Sequence, residues 1–265
     1  MKLTNNTILI TGGSSGIGLE ISALLVGLGN TLIVTGRDQG KLDAAKKRLP
    51  QIHTMQSDVS NAGEITLLCK KITQDFPDLN IVINNAGIMK KINFHAKETD
   101  LIELTREIEI NLMGPIRMVK EFLPHLKTKK IAAIVNVSSG LAFVPLTLSP
   151  VYSATKAAMH SFSQALRVQL KYTNVRVFEL APPGTDTSLF TGGFTKEELE
   201  GMKPMDVKVL ARKAIEGMQK DHFEIRPGLS NMLKWMSRLA PNFAINMLGK
   251  SAEAMLSASR ADGGA

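Results

Sequence analysis

The chain has 265 residues, of which 44% are hydrophobic and 21% charged, and its formal net charge is +8. This length and composition predict a soluble globular protein with a single domain over residues 1–265. The basic residues are scattered and aromatic residues make up only 5% of the chain, which excludes the basic, aromatic-lined surface of a nucleic-acid binder. The charge instead favours a solvated surface that attracts an anionic small molecule.

Cysteine content and hydropathy indicate the compartment. Cys69 is the only cysteine, so no internal disulfide can form, which suits a reducing environment. A strand-like segment, TILITGG, begins at Thr7 and leaves no room for a signal peptide. No apolar run approaches the ~18 residues that a membrane span needs. We therefore expect a cytoplasmic protein without stable membrane insertion.

Short β-branched runs alternate with amphipathic helical patterns along the chain. The predicted strands are Thr7–Thr11, Thr31–Thr35, Ile52–Gln56, Asn80–Asn84, Ile131–Val137, Val175–Leu180 and, more weakly, Phe223–Arg226. This alternation predicts an α/β fold: a Rossmann-type doubly wound, mostly parallel sheet of about seven strands with helices on both faces. Such sheets bind ligands at the carboxyl ends of their strands, so functional residues should cluster there.

The first predicted strand runs into TGGSSGIG. The spacing differs from the usual dinucleotide fingerprint, but glycines allow a tight turn and close approach to a pyrophosphate, and the following helix offers free N–H groups. A plain turn is the alternative, and the strand–turn–helix context favours the cofactor. The candidate cofactor-binding residues of this turn are Gly12, Ser14, Ser15, Gly16, Ile17 and Gly18.

The end of the second strand bears on the choice of cofactor. Arg37 follows Gly36 there and could accommodate a 2′-phosphate, whereas an acidic residue would bind a free 2′-hydroxyl. Asp38 could be that acid, although it more simply caps the next helix. We therefore expect NADP(H) to be preferred, with NAD(H) as the alternative.

The third strand is followed by SDVS, which contains Asp58 and Val59. Asp58 could accept a hydrogen bond from an adenine amino group, or it could simply form the turn.

Further polar groups follow the fourth and fifth strands. The fourth runs into NNAG and the fifth into Ser138 and Ser139, after which Tyr152 and Lys156 share one helix face. A tyrosine with a pKa of ~10 is a poor proton donor near neutrality, and a neighbouring lysine cation would lower that pKa. With a serine hydroxyl to hold the substrate oxygen, these groups supply what carbonyl reduction needs beyond a hydride donor.

The motifs TGGSSGIG, NNAG, NLMG and YSATK, with Ser139 before the last, occur in this order. In this the sequence resembles the short-chain dehydrogenase/reductase family, in its compact ketoreductase-type branch, over roughly the first 190 residues. The resemblance implies that Tyr152 is the general acid/base and that Ser139 orients the carbonyl. It implies that Lys156 binds the nicotinamide ribose and lowers the pKa of Tyr152, and that Asn111 supports a proton-relay water. Without the other motifs, Asn111 would be interpreted as a polar residue that bends a helix.

The resemblance also implies cofactor contacts from the loops after the fourth and sixth strands. These residues are Asn85, Ala86, Gly87, Pro183, Gly184 and Thr187. The chain departs from the family pattern at Pro182, an extra proline that stiffens the entry to the second of these loops.

Three segments, residues 88–95, 141–150 and about 188–204, are expected to wall a substrate pocket. The apolar candidates for its lining are Leu141, Phe143, Val144, Leu146, Phe190 and Phe194. Such a wall favours a hydrophobic ketone or secondary alcohol, although these residues could simply pack the loops. Gly192 and Gly193 before TKEELEGM predict a hinged lid over about 188–205.

An apolar helical segment over about 229–250 is interrupted by Pro241. It could pack against a second subunit or the pocket, belong to the core, or touch a membrane surface. We expect a homodimer or homotetramer.

Taken together, these patterns predict an oxidoreductase that transfers a hydride between NADP(H) and a hydrophobic ketone or secondary alcohol, without a metal. The alternative is a non-catalytic dinucleotide-binding sensor or scaffold on the same fold.

Overall fold

The aliphatic runs form a parallel sheet of seven strands in the order β3-β2-β1-β4-β5-β6-β7. The computed structural model describes residues 1–96, 100–195 and 203–249. The strands are β1 (Thr7–Thr11), β2 (Thr31–Gly36), β3 (His53–Gln56), β4 (Leu79–Asn84), β5 (Ala132–Val137), β6 (Val175–Leu180) and β7 (Glu224–Ile225). The order reverses direction between β1 and β4, which opens a crevice at their carboxyl ends. The predicted Rossmann-type class is confirmed.

Helices cover both faces of this sheet. They are α1 (Gly16–Gly27), α2 (Gln39–Arg48), α3 (Ala62–Asp75), α4 (Leu101–Ile108), α5 (Gly114–Lys127), α6 (Pro150–Gln169), α7 (Ser188–Thr191), α8 (Val207–Gln219), α9 (Leu229–Leu239) and α10 (Pro241–Gly249). A π-helical turn, Glu109–Met113, joins α4 to α5, and a 3₁₀ turn, Gly140–Ala142, follows β5.

Two hydrophobic cores lie on opposite faces of the sheet because successive strand residues point to opposite sides. In β1, Ile8 and Ile10 join the core under α1 and α8, whereas Leu9 joins the core under α3, α5 and α6. The central strands are buried on both faces, which explains why they are continuous aliphatic runs rather than alternating patterns.

Of three sequence predictions for the last third of the chain, one differs from the structure, one agrees with it and one lies partly outside the described ranges. The last strand is shorter than the predicted Phe223–Arg226, since only two of its residues pair with β6. Pro241 separates α9 from α10, where it begins the new helix as a proline can. Of the lid predicted over about 188–205, residues 196–202 lie outside the described residues.

Within the three described ranges, no helix combines the length and apolarity required to cross a bilayer.

Candidate active site

A cleft of about 1620 Å³ opens where the strands end. We call the part lined by the loops after β1 to β4 the cofactor side of the cleft. The part lined by the 3₁₀ turn, α7 and α9 is its substrate side. The predicted cofactor and catalytic residues that line it are Gly12, Ser14, Ser15, Gly16, Ile17, Arg37, Asp58, Val59, Asn85, Ala86, Gly87, Ser139, Tyr152, Lys156, Pro183, Gly184 and Thr187. Gly18 and Asn111 lie behind this wall and support it.

Gly12, in the loop between β1 and α1, and Gly18, in the first turn of α1, have no room for a side chain. Gly12 has a φ of +63°, and a Cβ there would lie 2.7 Å from the Cα of Ala86. A Cβ at Gly18 would lie 2.5 Å from Nδ2 of Asn85, an amide that donates to the carbonyls of Thr11 and Gly12. The glycine turn after β1 and the loop after β4 can therefore touch only because these two residues are glycines.

The N-terminus of α1 faces the cleft beside this glycine turn. Ser15 precedes the helix without a side-chain hydrogen bond to it, so side-chain capping does not use the free N–H groups of the first turn. Backbone N–H groups and the positive end of the helix dipole suit a pyrophosphate. The turn, the helix and the volume of the cleft fit a nicotinamide dinucleotide.

The far end of the cofactor side carries two cations. Arg37 and Lys41 both line it. Asp38 accepts a hydrogen bond from the Lys41 backbone N–H at 3.0 Å, so the capping interpretation of Asp38 is confirmed. Lys41 was not singled out in the sequence, although its place one helical turn after Arg37 is a usable signal.

Asp58 forms a turn of its own. Its Oδ1 accepts hydrogen bonds from the backbone N–H of Ser60 at 2.9 Å and from the Ser60 hydroxyl at 2.8 Å. The turn-forming interpretation of Asp58 is therefore confirmed, while the residue also lines the cleft.

Ser139, Tyr152 and Lys156 meet at the junction of the two sides of the cleft. The Ser139 side chain faces the Tyr152 phenol, and its hydroxyl accepts a hydrogen bond from the Leu141 backbone N–H at 3.1 Å. The Lys156 ammonium donates to the Val137 carbonyl at 2.9 Å and lies 5.5 Å from the centre of the Tyr152 ring. All three side chains are buried, so their geometry is held by packing as well as by hydrogen bonds.

Burial shifts the pKa values of Tyr152 and Lys156 in the directions that favour the neutral form of each side chain. It raises the pKa of Tyr152 to about 12, against a smaller lowering by the Ser139 side chain. Burial likewise lowers the pKa of Lys156 to about 8. Lys156 is not among the causes of the Tyr152 shift in the protein alone, where burial is the largest cause and the charge of Glu107 adds to it.

Asn111 holds the loop after β4 in place. Its side chain accepts from the Ile88 backbone N–H at 2.9 Å and donates to the Ile88 carbonyl at 2.8 Å. The residue lies in the π-helical turn, so it marks a helix irregularity as well. A Cβ at Gly87 would lie 3.2 Å from Oδ1 of Asn111 and 3.7 Å from Nζ of Lys156, which places both groups against the same space.

The two serines after β5 have different partners. The Ser138 hydroxyl donates to the buried carboxylate of Glu179, which also contacts Nδ1 of His160 at 2.8 Å. Ser139 faces Tyr152 instead. This geometry supports Ser139 as the serine that meets a substrate.

The substrate side differs in part from the sequence prediction. Leu141, Leu146 and Phe190 line the cleft. Three other candidates are absent from the lining that the described residues provide, because each packs behind it. Phe143 contacts the ring of His160, Val144 is buried with Leu233 and Ala244, and Phe194 packs near Leu146 and Phe190.

Several lining residues were not named from the sequence. They are Met89, Met232, Leu233, Met247 and Leu248, together with the polar residues Lys90, Glu103 and Arg106. The C-terminal apolar segment supplies most of the apolar ones, so of its three interpretations pocket packing agrees with the structure. A further buried carboxylate, Glu107, lies near Tyr152 and Lys156 and carries no signal in the sequence.

Comparison with known proteins identifies the class. The chain belongs to the short-chain dehydrogenase family, whose sequence model matches residues 6–198. It is therefore an oxidoreductase of that family, and a nicotinamide dinucleotide is its expected kind of cofactor.

Individual relatives make the same point. The chain is 50% identical over 189 residues to the "uncharacterized oxidoreductase DltE" of Bacillus subtilis strain 168, a match that covers 71% of this chain and 75% of that protein. A short-chain dehydrogenase from Sphingobium yanoikuyae, solved with NADPH, has a TM-score of 0.77 and 25% identity, with 95% of each chain covered. A 3-ketoacyl-(acyl-carrier-protein) reductase from Brucella melitensis, solved with NADH, has a TM-score of 0.74 and 25% identity, with 82% of this chain and 91% of that one covered.

Proposed function

We propose that this protein is an NADP(H)-preferring reductase of hydrophobic ketones that also oxidises the corresponding secondary alcohols. The observation that carries the proposal is the buried contact of Ser139, Tyr152 and Lys156, between a glycine-lined cleft and an apolar wall. A tyrosine with a raised pKa and a lysine with a lowered pKa, held together in a cleft, are typical of acid–base catalytic sites.

The residues of the cofactor side would hold the dinucleotide. Backbone groups around Gly12 and Gly16 suit the pyrophosphate, and Arg37 with Lys41 suits a 2′-phosphate. When bound, the nicotinamide supplies a hydride to a carbonyl carbon or accepts one from an alcohol. The two cations favour NADP(H) over NAD(H), in line with the excess of basic residues in the chain.

The side chains around Tyr152 would complete the reduction. The hydroxyls of Ser139 and Tyr152 donate hydrogen bonds to the carbonyl oxygen and fix its position. As the C=O π bond breaks, negative charge develops on that oxygen, and Tyr152 transfers its phenolic proton to it. The Lys156 ammonium then stabilises the tyrosinate until a proton from solvent restores the phenol. Asn111 would hold the relay water, and oxidation runs through the same groups in reverse.

The apolar wall supports a hydrophobic substrate. The apolar side chains of Leu141, Leu146, Phe190 and Met232 line the same cleft as Tyr152. Apolar atoms without fixed polar partners bind hydrocarbon better than sugars or acids, since a polar substrate would lose hydrogen bonds to water there. No observation favours the non-catalytic alternative.

The test uses the chain's two tyrosines, Tyr152 and Tyr172. Replacing Tyr152→Phe should lower kcat for any ketone by about 10³-fold, because the proton donor is lost, while the Kd for NADPH changes little. The readouts are nicotinamide absorbance during turnover and quenching of protein fluorescence on NADPH binding. Tyr172→Phe is the matched control, since this side chain is 92% exposed. Near-normal turnover by the Tyr152→Phe variant would overturn the assignment.

A further inference from the structure

A buried carboxylate lies beneath the proposed acid–base pair. Glu107, near the end of α4, is 0% exposed. Its Oε1 accepts a hydrogen bond from the Lys90 backbone N–H at 2.8 Å. Oε2 has no hydrogen-bond partner among the described residues, and the Tyr152 backbone N–H faces the carboxylate. Burying a carboxylate in this way costs folding free energy, so its position next to the site indicates a function.

The first turn of α6 lacks its usual cap, and Glu107 stands where a cap would act. Ser149 precedes α6, but its hydroxyl donates to the Lys90 carbonyl at 2.8 Å instead of capping the helix. The Tyr152 N–H in that turn therefore has no side-chain cap of its own. Glu107 brings negative charge to this positive helix end. Through the backbone of Lys90, Glu107 ties α4 to the loop after β4, and Ser149 ties the start of α6 to the same loop.

The charges of both Lys90 and Lys156 act on Glu107, and the two lysines differ in whether they have another carboxylate as a partner. From the loop after β4 comes Lys90, whose ammonium is paired with Glu103 on the solvent side. From α6 come Tyr152 and Lys156, and Lys156 is buried without a salt bridge among the described residues. On α4 itself, Arg106 is paired with Glu103. Glu107 is therefore the carboxylate placed to balance the buried Lys156 charge.

We propose that Glu107 is a positioning and charge-balancing residue of the acid–base pair: it fixes the first turn of α6 and holds Lys156 in its ammonium form. This inference rests on the proposed function of Tyr152 and Lys156. The pKa directions agree with it. Burial raises the pKa of Glu107, and the charge of Glu107 raises the pKa values of both Tyr152 and Lys156.

The first test needs neither cofactor nor turnover. In a Tyr172→Phe background, Tyr152 is the sole tyrosine, so tyrosinate absorbance after a rapid jump to high pH reports its ionisation alone. Glu107→Gln keeps the shape and the acceptor for Lys90 but removes the negative charge that opposes the phenolate. Tyr152 should then ionise at a pH lower by about one unit. An unchanged midpoint in a folded variant overturns the inference.

The matched control is Glu109→Gln. Glu109 lies in the adjoining π-helical turn, is exposed and pairs with Arg117. Its replacement changes the net charge equally, so a long-range charge effect would move both variants, whereas the inference expects Glu107→Gln alone to shift. Equal shifts in the two variants would overturn it.

The second test follows turnover. Lys156 has a pKa of about 8 with Glu107 in place, so ketone reduction should fall as pH rises through that value. Without the Glu107 charge, this alkaline limb should move to lower pH by about one unit, while the rate at pH 6 changes less. A uniform loss at every pH would indicate a structural role only. If no ketone is reduced by the parent enzyme, the proposed function fails, whereas the tyrosinate titration still decides the role of Glu107.

Discussion

The two sides of the cleft are built from different parts of the chain. On the cofactor side the wall is largely backbone: Gly12 touches Ala86, and Gly18 packs beneath Asn85. On the substrate side the wall consists of side chains such as Leu141, Phe190 and Met232, carried by short or terminal elements. Backbone walls cannot change without moving strands, whereas a side-chain wall changes with each substitution. We infer that the fold fixes the cofactor geometry and leaves the substrate to local residues.

The largest expected effect tests the backbone wall. Gly12→Ala places a Cβ 2.7 Å from the Ala86 Cα at a φ of +63°. Strain and overpacking together cost about 2 kcal/mol or more, so the Kd for NADPH should rise by about 30-fold or more. Fluorescence titration measures it. Gly27→Ala is the control, since a Cβ there meets nothing within 4 Å. A normal Kd for the Gly12 variant would mean that the backbone wall is not rigid.

A smaller effect is expected from a side chain on the cofactor side. Arg37→Ser removes a cation proposed to meet the 2′-phosphate. Because Arg37 is exposed, the loss in kcat/KM with NADPH should be about tenfold, with kcat/KM for NADH nearly unchanged. Arg48→Ser, at the end of α2 and paired with Glu20, should leave the ratio of kcat/KM for the two cofactors unchanged. An equal loss of kcat/KM with NADPH and with NADH would show that Arg37 does not bind the 2′-phosphate.

The smallest effect tests the substrate side. Met232 lines the cleft from α9, and Met232→Gln exchanges apolar for polar surface there. We expect KM for an apolar ketone to rise about threefold to tenfold, with kcat and the Kd for NADPH unchanged, because the substrate loses about 1 kcal/mol of apolar contact. Leu239→Gln on the same helix is the control, since Leu239 is 80% exposed and outside the cleft lining. A changed NADPH affinity would show that the two sides are coupled.

Most of the cofactor side could be predicted from the sequence. Glycines near strand ends, Arg37 after β2 and the Tyr152–Lys156 spacing are local signals, since strand period and helix period fix where each residue points. The substrate side was predicted less well. Phe143 and Val144 are apolar residues in the expected loop, but the way that loop packs on His160 and α9 turns them away from the cleft.

By itself, the sequence determined the Rossmann-type sheet, the glycine turn and the chemical groups of the proposed acid–base pair. These depend on local periodicity and on residue types that few other conformations accommodate. Only the tertiary structure decided that Ser138 bonds to Glu179, that Glu107 faces the Tyr152 backbone and that α9 lines the cleft. Such contacts join residues far apart in the chain, and their geometry depends on how helices pack across the sheet. Sequence periodicity says which face of a helix is buried but not which side chain of another element it meets there.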